Sequence, residues 1–296
     1  MFQGCGTALV TPFRRDLSLD EDGLRRLVRR QIDAGIAFLV PCGSTGENPT
    51  LRREEHLRVI QITVEEARGK VPVLGGAGGN NTADVVELAR AVEQLGVDGI
   101  LSVTPFYNKP TSDGLYQHFR MISDAVRVPI VVYNVPGRTG QNVEPATMLR
   151  LSEIENVWGV KESSGNLVQI ATLCARSRLA VLSGDDPMTL GIIAHGGRGL
   201  ISVISNVDPV RTVRMVNAAL AGDYATAREL FRELLALMEV CFVESNPIPA
   251  KAALAMMALI EPALRPPLAP PQTSTITKVE QVLRTLELLE PAHARL

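Results

Sequence analysis

Along its first 222 residues the chain alternates two kinds of apolar spacing. Short runs rich in β-branched residues recur at 5–10, 38–42, 71–75, 99–103, 130–134, 157–161, 180–183 and 199–203. Between them the apolar positions repeat every three to four residues, the spacing of a helix with one covered face. Start and stop signals agree with this. Asp20 can cap a helix over 21–34 that ends at Gly35, and Asn81-Thr82 can open one over 83–95 that ends at Gly96. A run apolar on both faces belongs in a parallel sheet with helices on either side. Eight such βα units are the number that closes a sheet into a barrel, so the pattern predicts an α/β fold, a (β/α)8 TIM barrel over 1–222. From residue 223 the alternation stops: 223–243 and 249–259 read as helices, 265–271 as a proline-rich connector and 274–289 as a closing amphipathic helix. Residues 223–296 are thus expected to form a C-terminal helical extension packed on the barrel, with subunit contacts as a secondary use.

Composition narrows the function. The chain has 296 residues, 46% of them hydrophobic, enough to bury a large core. A net charge of -2 supplies no basic field for nucleic acid or an anionic membrane, which leaves a small-molecule partner. Cys5, Cys42, Cys174 and Cys241 are far apart and fit reduced thiols in a cytoplasmic protein better than a disulfide framework. His56, His118, His195 and His293 show no ligand spacing, so no metal is expected. No apolar run approaches 18 residues, and no basic segment followed by an apolar core opens the chain, so neither membrane spanning nor secretion is indicated.

The stretch Val157-Trp158-Gly159-Val160-Lys161-Glu162 ends a buried strand in a lysine. Burial disfavours the ammonium; bringing a lysine pKa from about 10.4 to roughly 7 takes on the order of 4 kcal/mol. A neutral Lys161 could attack a carbonyl and form a Schiff base, whereas an ordinary strand-end lysine would carry its charge out to solvent. Strand alternation puts Val131 and Tyr133 on one face, and Val157, Gly159 and Lys161 on one face of the next strand. With both faces inward, Tyr133 and Lys161 converge at the barrel rim, Gly159 leaves room for the lysine stem, and Tyr133 can shuttle protons. Otherwise Tyr133 is a core tyrosine with a satisfied hydroxyl. Arg138, just beyond the strand, suits a carboxylate, or else forms a surface ion pair.

Other strand ends carry their own signals. Gly43-Ser44-Thr45-Gly46-Glu47 can bring backbone N–H groups and hydroxyls to one spot, a carboxylate cradle or an ordinary turn. Gly75-Gly76-Ala77-Gly78-Gly79-Asn80-Asn81 puts Asn81 where a dinucleotide loop needs its third glycine, so it reads as a close-packed turn. Phe106 and Tyr107 sit side by side on a proline-bracketed loop of a chain only 4% aromatic, which points to binding or an interface. Ser183-Gly184-Asp185-Asp186 and Ile201-Ser202-Val203 would line a pocket with small residues and free backbone.

Together, Gly43-Ser44-Thr45-Gly46-Glu47, Tyr133-Asn134-Val135-Pro136-Gly137-Arg138-Thr139, Val160-Lys161-Glu162, Ser183-Gly184-Asp185-Asp186 and Asn246-Pro247-Ile248-Pro249-Ala250-Lys251 resemble the dihydrodipicolinate synthase family, among the pyruvate-dependent class I aldolases. The resemblance implies that Lys161 forms an imine with pyruvate and that Tyr133, Ser44 and Tyr107 relay protons, Tyr107 from the neighbouring subunit of a homotetramer built as a dimer of dimers. It implies that Ser44 and Thr45 hold the pyruvate carboxylate and Arg138 that of aspartate semialdehyde, and that the backbone of Gly184 and Ile201 lines the lysine pocket. The product would be 4-hydroxy-tetrahydrodipicolinate, on the route to diaminopimelate and lysine, with no cofactor beyond the covalent lysine imine. A related aldolase acting on a hydroxy-keto acid, and a non-catalytic oxo-acid binder, are the competing readings. Relatives usually carry threonine at Ser44. In the family's lysine regulatory site His56 and Asn80 match, but Asp84 replaces a usual glutamate and Phe106 a usual tyrosine, so weak or absent lysine inhibition is expected.

Overall fold

The computed structural model describes residues 1–289. Eight strands, β1 (Gly4–Ala8), β2 (Phe38–Val40), β3 (Leu74–Gly76), β4 (Gly99–Val103), β5 (Ile130–Asn134), β6 (Val157–Glu162), β7 (Ala180–Ser183) and β8 (Gly199–Ser202), form one parallel sheet in the order β2-β1-β8-β7-β6-β5-β4-β3. Its edges meet. Leu39 and Val73 form a parallel bridge, Leu39 N–H donates to the Pro72 carbonyl at 2.9 Å, and Gly76 N–H donates to the Pro41 carbonyl at 3.0 Å. The sheet closes as a TIM barrel.

Around it run α1 (Glu21–Asp33), α2 (Arg53–Ala67), α3 (Thr82–Gln94), α4 (Ser112–Ala125), α5 (Pro136–Thr139), α6 (Pro145–Leu151), α7 (Leu167–Arg176), α8 (Thr189–Ala194) and α9 (Pro209–Leu220). The Asp20 carboxylate caps α1 by accepting from Gly23 N–H at 2.9 Å, and the Asn81 side chain caps α3 by accepting from Ala83 N–H at 3.2 Å. β3 starts at Leu74 rather than at the expected Val71, because its ladder begins where β4 begins, with Leu74 opposite Gly99.

Apolar residues form two main layers, with a small third cluster of Val10, Leu27, Leu254 and Ile260. The larger lies between strands and helices, and the smaller fills the barrel with Phe2, Phe38, Leu74, Leu101, Val131, Leu182 and Ile201 among others. Phe2, Phe38 and Trp158 plug the N-terminal end through edge-to-face contacts at 5.5 and 5.6 Å. Trp158 corrects the expected alternation of β6. The β5–β6 register shifts between Ile130 and Val131, so Ile130 pairs with Val157 and Val131 with Gly159. This bulge turns Val157 toward the helices and Trp158 into the barrel, while Gly159 and Lys161 keep their inward face.

Beyond α9 come α10 (Tyr224–Val240), α11 (Ile248–Met256) and α12 (Thr273–Thr285), with no further strand among the described residues. α10 stops at Val240, three residues short of the expected end. The chain then turns through residues 241–247 to the C-terminal mouth of the barrel, where Pro247 disfavours helical backbone at Asn246.

Candidate active site

Lys161 and Tyr133 are register partners at the C-terminal ends of β6 and β5. Both are buried, and Lys161 Nζ lies 4.2 Å from the Tyr133 ring centroid. No carboxylate lies within ion-pair distance of Lys161 among the described residues. The amine therefore has an aromatic face beside it where most buried lysines have a counter-charge. Room for its stem comes from Gly184, since a Cβ there would stand 2.9 Å from Lys161 Cγ and Cε. Gly159, expected to provide that space, answers to a different constraint: a Cβ there would stand 2.7 Å from the Ala180 carbonyl oxygen on β7.

The residues after Tyr133 and Lys161 tie the two strand ends together. Asn134 Nδ2 donates to both carboxylate oxygens of buried Glu162 at 3.1 and 3.2 Å; Gln169 Nε2 at 3.3 Å and Ser164 N–H at 2.8 Å donate to it as well. Burial pushes the Glu162 carboxyl above its ordinary pKa range, and these hydrogen bonds oppose the shift.

The loop after β2 forms two short 3₁₀ turns, Ser44–Gly46 and Asn48–Thr50, joined at Glu47 in the left-handed region with φ 52°. Gly46 and Glu47 N–H are taken by the Gly43 and Ser44 carbonyls, which leaves Ser44 and Thr45 as the residues of this loop that could form the expected cradle. Thr45 Oγ1 accepts from Asn246 Nδ2 at 2.9 Å, and the Asn246 carbonyl accepts from Arg138 Nη2 at 3.3 Å. From beneath, Lys251 on α11 donates to the Glu47 carboxylate and, at 3.0 Å, to the Thr11 carbonyl. Glu47 and Lys251 are both buried, and burial pulls the Lys251 pKa down against the attraction of Glu47. No reading of local pattern assigned roles to Asn246, Glu47, Lys251 or Glu162; the signal for them was their place in the motifs Gly43-Ser44-Thr45-Gly46-Glu47, Val160-Lys161-Glu162 and Asn246-Pro247-Ile248-Pro249-Ala250-Lys251.

A cavity of about 570 Å³ opens above this cluster. Ser44, Tyr133, Arg138 and Asn246 line one part of its wall, and His56, Asn80, Asp84 and Phe106 another. The wall does not include Lys161, Thr45, Gly184 or Ile201; of these all but Gly184 are buried, so Tyr133 is the wall residue next to the amine. Gly184 N–H donates to the Glu162 carbonyl at 2.9 Å, and Ile201 belongs to the barrel interior. Tyr107 stands apart from its own chain's cluster, 89% exposed. Its backbone is held at φ 73°, and Tyr107 N–H donates to the Thr139 carbonyl at 3.3 Å. Asn80 and Asn108 pin the same loop by donating to the carbonyls of Phe106 and Asn80 at 3.2 and 2.8 Å.

No group of three or more His, Cys, Asp or Glu among the described residues could hold a metal ion, and His293 lies outside the described residues. No helix among them is long and apolar enough to cross a membrane. All four cysteines are free.

Residues 1–286 match the model of the dihydrodipicolinate synthetase family. The chain is 52% identical over 293 residues to the 4-hydroxy-tetrahydrodipicolinate synthase of Koribacter versatilis, covering 98% of both chains. Among solved structures it resembles the Acinetobacter baumannii dihydrodipicolinate synthase complexed with pyruvate, with a TM-score of 0.96 and 38% identity over 98% of this chain and 100% of the other. It equally resembles a monomeric dihydrodipicolinate synthase variant, with a TM-score of 0.94 and 44% identity over 97% and 98% of the two chains.

Proposed function

Because the chain belongs to the dihydrodipicolinate synthetase family, we infer that it is a lyase condensing pyruvate with (S)-aspartate 4-semialdehyde to 4-hydroxy-tetrahydrodipicolinate, in diaminopimelate and lysine biosynthesis. The observation that carries the mechanism is a buried lysine with no carboxylate beside it among the described residues, facing Tyr133 at the barrel's C-terminal mouth. Such an amine is the nucleophile that a Schiff-base reaction needs.

Lys161 Nζ adds to the pyruvate ketone and water leaves, giving an iminium that draws electrons from the methyl group. A methyl proton departs to form the enamine, and Tyr133, Ser44 and Tyr107 relay the protons. The enamine carbon bonds to the aldehyde carbon of the semialdehyde. The semialdehyde's own amine then displaces Lys161 from the imine carbon and closes the ring, returning the free lysine. The lysine itself supplies the covalent activation, so neither metal nor organic cofactor is required. Ser44 and Thr45 take the pyruvate carboxylate, and Arg138 takes that of the semialdehyde, for which its planar donor fork is suited. The backbone of Gly184 and Ile201 lines the lysine pocket.

The exposed Tyr107, fixed in left-handed backbone on a pinned loop, supports its reaching into a neighbouring subunit's site within a homotetramer, a dimer of dimers. His56, Asn80, Asp84 and Phe106 form the position of a lysine regulatory site. The protein works in the cytoplasm on small molecules, and residues 223–289, the described part of 223–296, act as a helical extension of the barrel 1–222.

Incubation with pyruvate, borohydride reduction and peptide mapping test the mechanism. A pyruvate adduct on Lys161 is expected. Folded protein that gives no adduct, or one on another lysine, would refute it and favour an oxo-acid binder.

A further inference from the structure

Thr45 is buried, and its one hydrogen-bond partner among the described residues is Asn246, whose Nδ2 donates to Thr45 Oγ1 at 2.9 Å. A hydroxyl that accepts there keeps its own hydrogen to give, and the described residues offer it no acceptor. Buried hydroxyl hydrogens seek partners, so the Thr45 hydroxyl hydrogen is open to an acceptor from outside the described residues. Asn246 Oδ1 is itself buried without a partner, which leaves the amide one donation that orders it. The same residue's carbonyl accepts from Arg138 Nη2 at 3.3 Å. Five residues on, Lys251 is anchored to Glu47 on the Thr45 loop, so the segment is fixed to that loop at two points.

We propose that Asn246 is a positioning residue: its amide fixes the Thr45 hydroxyl as a donor toward the pyruvate carboxylate, and its backbone carbonyl holds Arg138 at the second carboxylate. The proposal rests on Thr45 being a carboxylate ligand, as read above. Asn246 thereby links the binding of the two substrates, and it comes from the segment between α10 and α11, outside the eight βα units.

Asn246→Asp is nearly isosteric but offers Thr45 an acceptor in place of a donor, which turns the Thr45 hydroxyl away from substrate. Loss of one hydrogen bond to a charged group predicts a pyruvate KM raised roughly tenfold, with kcat changed by less than about threefold and the thermal midpoint nearly unmoved. Thr45→Val raises the same constant, and the double variant is no worse than Thr45→Val alone, since both substitutions remove one interaction. A pyruvate KM within about twofold of wild type, or penalties that multiply in the double variant, overturns the proposal. Should Asp at 246 unfold the protein by circular dichroism, Asn246→Ser, too short to reach Thr45 and uncharged, is read by the same criteria. Borohydride trapping across a pyruvate titration runs alongside. Trapping in wild type with an unshifted titration in Asn246→Asp sinks the positioning role alone, whereas no trapping in wild type removes the carboxylate reading and the proposal with it.

Discussion

Asp84 and Phe106 line the part of the cavity proposed above as a lysine regulatory site, and the surroundings of each disfavour a cationic ligand. The Asp84 carboxylate already accepts from Asn81 Nδ2 at 2.8 Å, and Arg53 lines the same wall. His56 stays neutral, since burial lowers its pKa, and its Nε2 is engaged with the Gly76 carbonyl at 2.7 Å. Phe106 offers no hydroxyl to a ligand. An ammonium here meets one occupied carboxylate and a nearby guanidinium, so its desolvation is poorly repaid. Free lysine should inhibit weakly or not at all in a rate titration, and a low-micromolar inhibition constant would refute this. Asp84→Glu with Phe106→Tyr should make the enzyme more sensitive, because the longer carboxylate can reach past Asn81 and the phenol restores a hydrogen-bonding group.

At the scale of elements, the site depends on strand ends that lie very close together. A Cβ on Gly76 would meet the Cys42 carbonyl oxygen at 2.2 Å, and one on Gly78 the Val103 nitrogen at 2.6 Å. The loops after β2, β3 and β4 thus approach as near as backbone allows, which glycine alone permits. Gly184 does the same for β7 against the stem of Lys161, and Ser163 Oγ would stand 2.1 Å from its Cβ. Gly184→Ala should leave the barrel folded but push the lysine stem aside. A displacement of about 1 Å at a reacting group costs on the order of 10²-fold in rate. Slowed adduct formation in single-turnover trapping would show it, and a wild-type trapping rate would refute the assignment of Gly184 as the residue that makes room.

At the scale of the whole molecule, the proposal that Tyr107 serves a neighbouring subunit's site starts from its exposure on its own chain. One of the solved structures this chain resembles is described as a monomeric variant, so the test below reads activity rather than folding. If each site borrows Tyr107 from its neighbour, Tyr107→Phe and Lys161→Ala proteins, each poor alone, should regain activity when unfolded together and refolded as a mixture. A hybrid pair then contains one site with a native Lys161 and a native Tyr107. No regain, with hybrids verified by mass, would place Tyr107 outside the relay.

The amino-acid pattern alone determined the eight strands, their parallel closure and the position of Lys161 and Tyr133 at neighbouring strand ends, because alternation and turn chemistry act over a few residues. It misplaced Val157, because Val157-Trp158-Gly159-Val160 is apolar or small throughout and a bulge leaves no mark on such a run. The shape of the site was decided only in three dimensions. Asn246 reaches Thr45 across 201 residues and Lys251 reaches Glu47 across 204. Which glycine frees the lysine stem, and which loop turns its tyrosine outward, also depended on the packed neighbours. Contacts so distant along the chain leave no periodic trace in it. They exist because barrel closure brings every strand's C-terminal end, and the segment returning from the last helices, to one mouth.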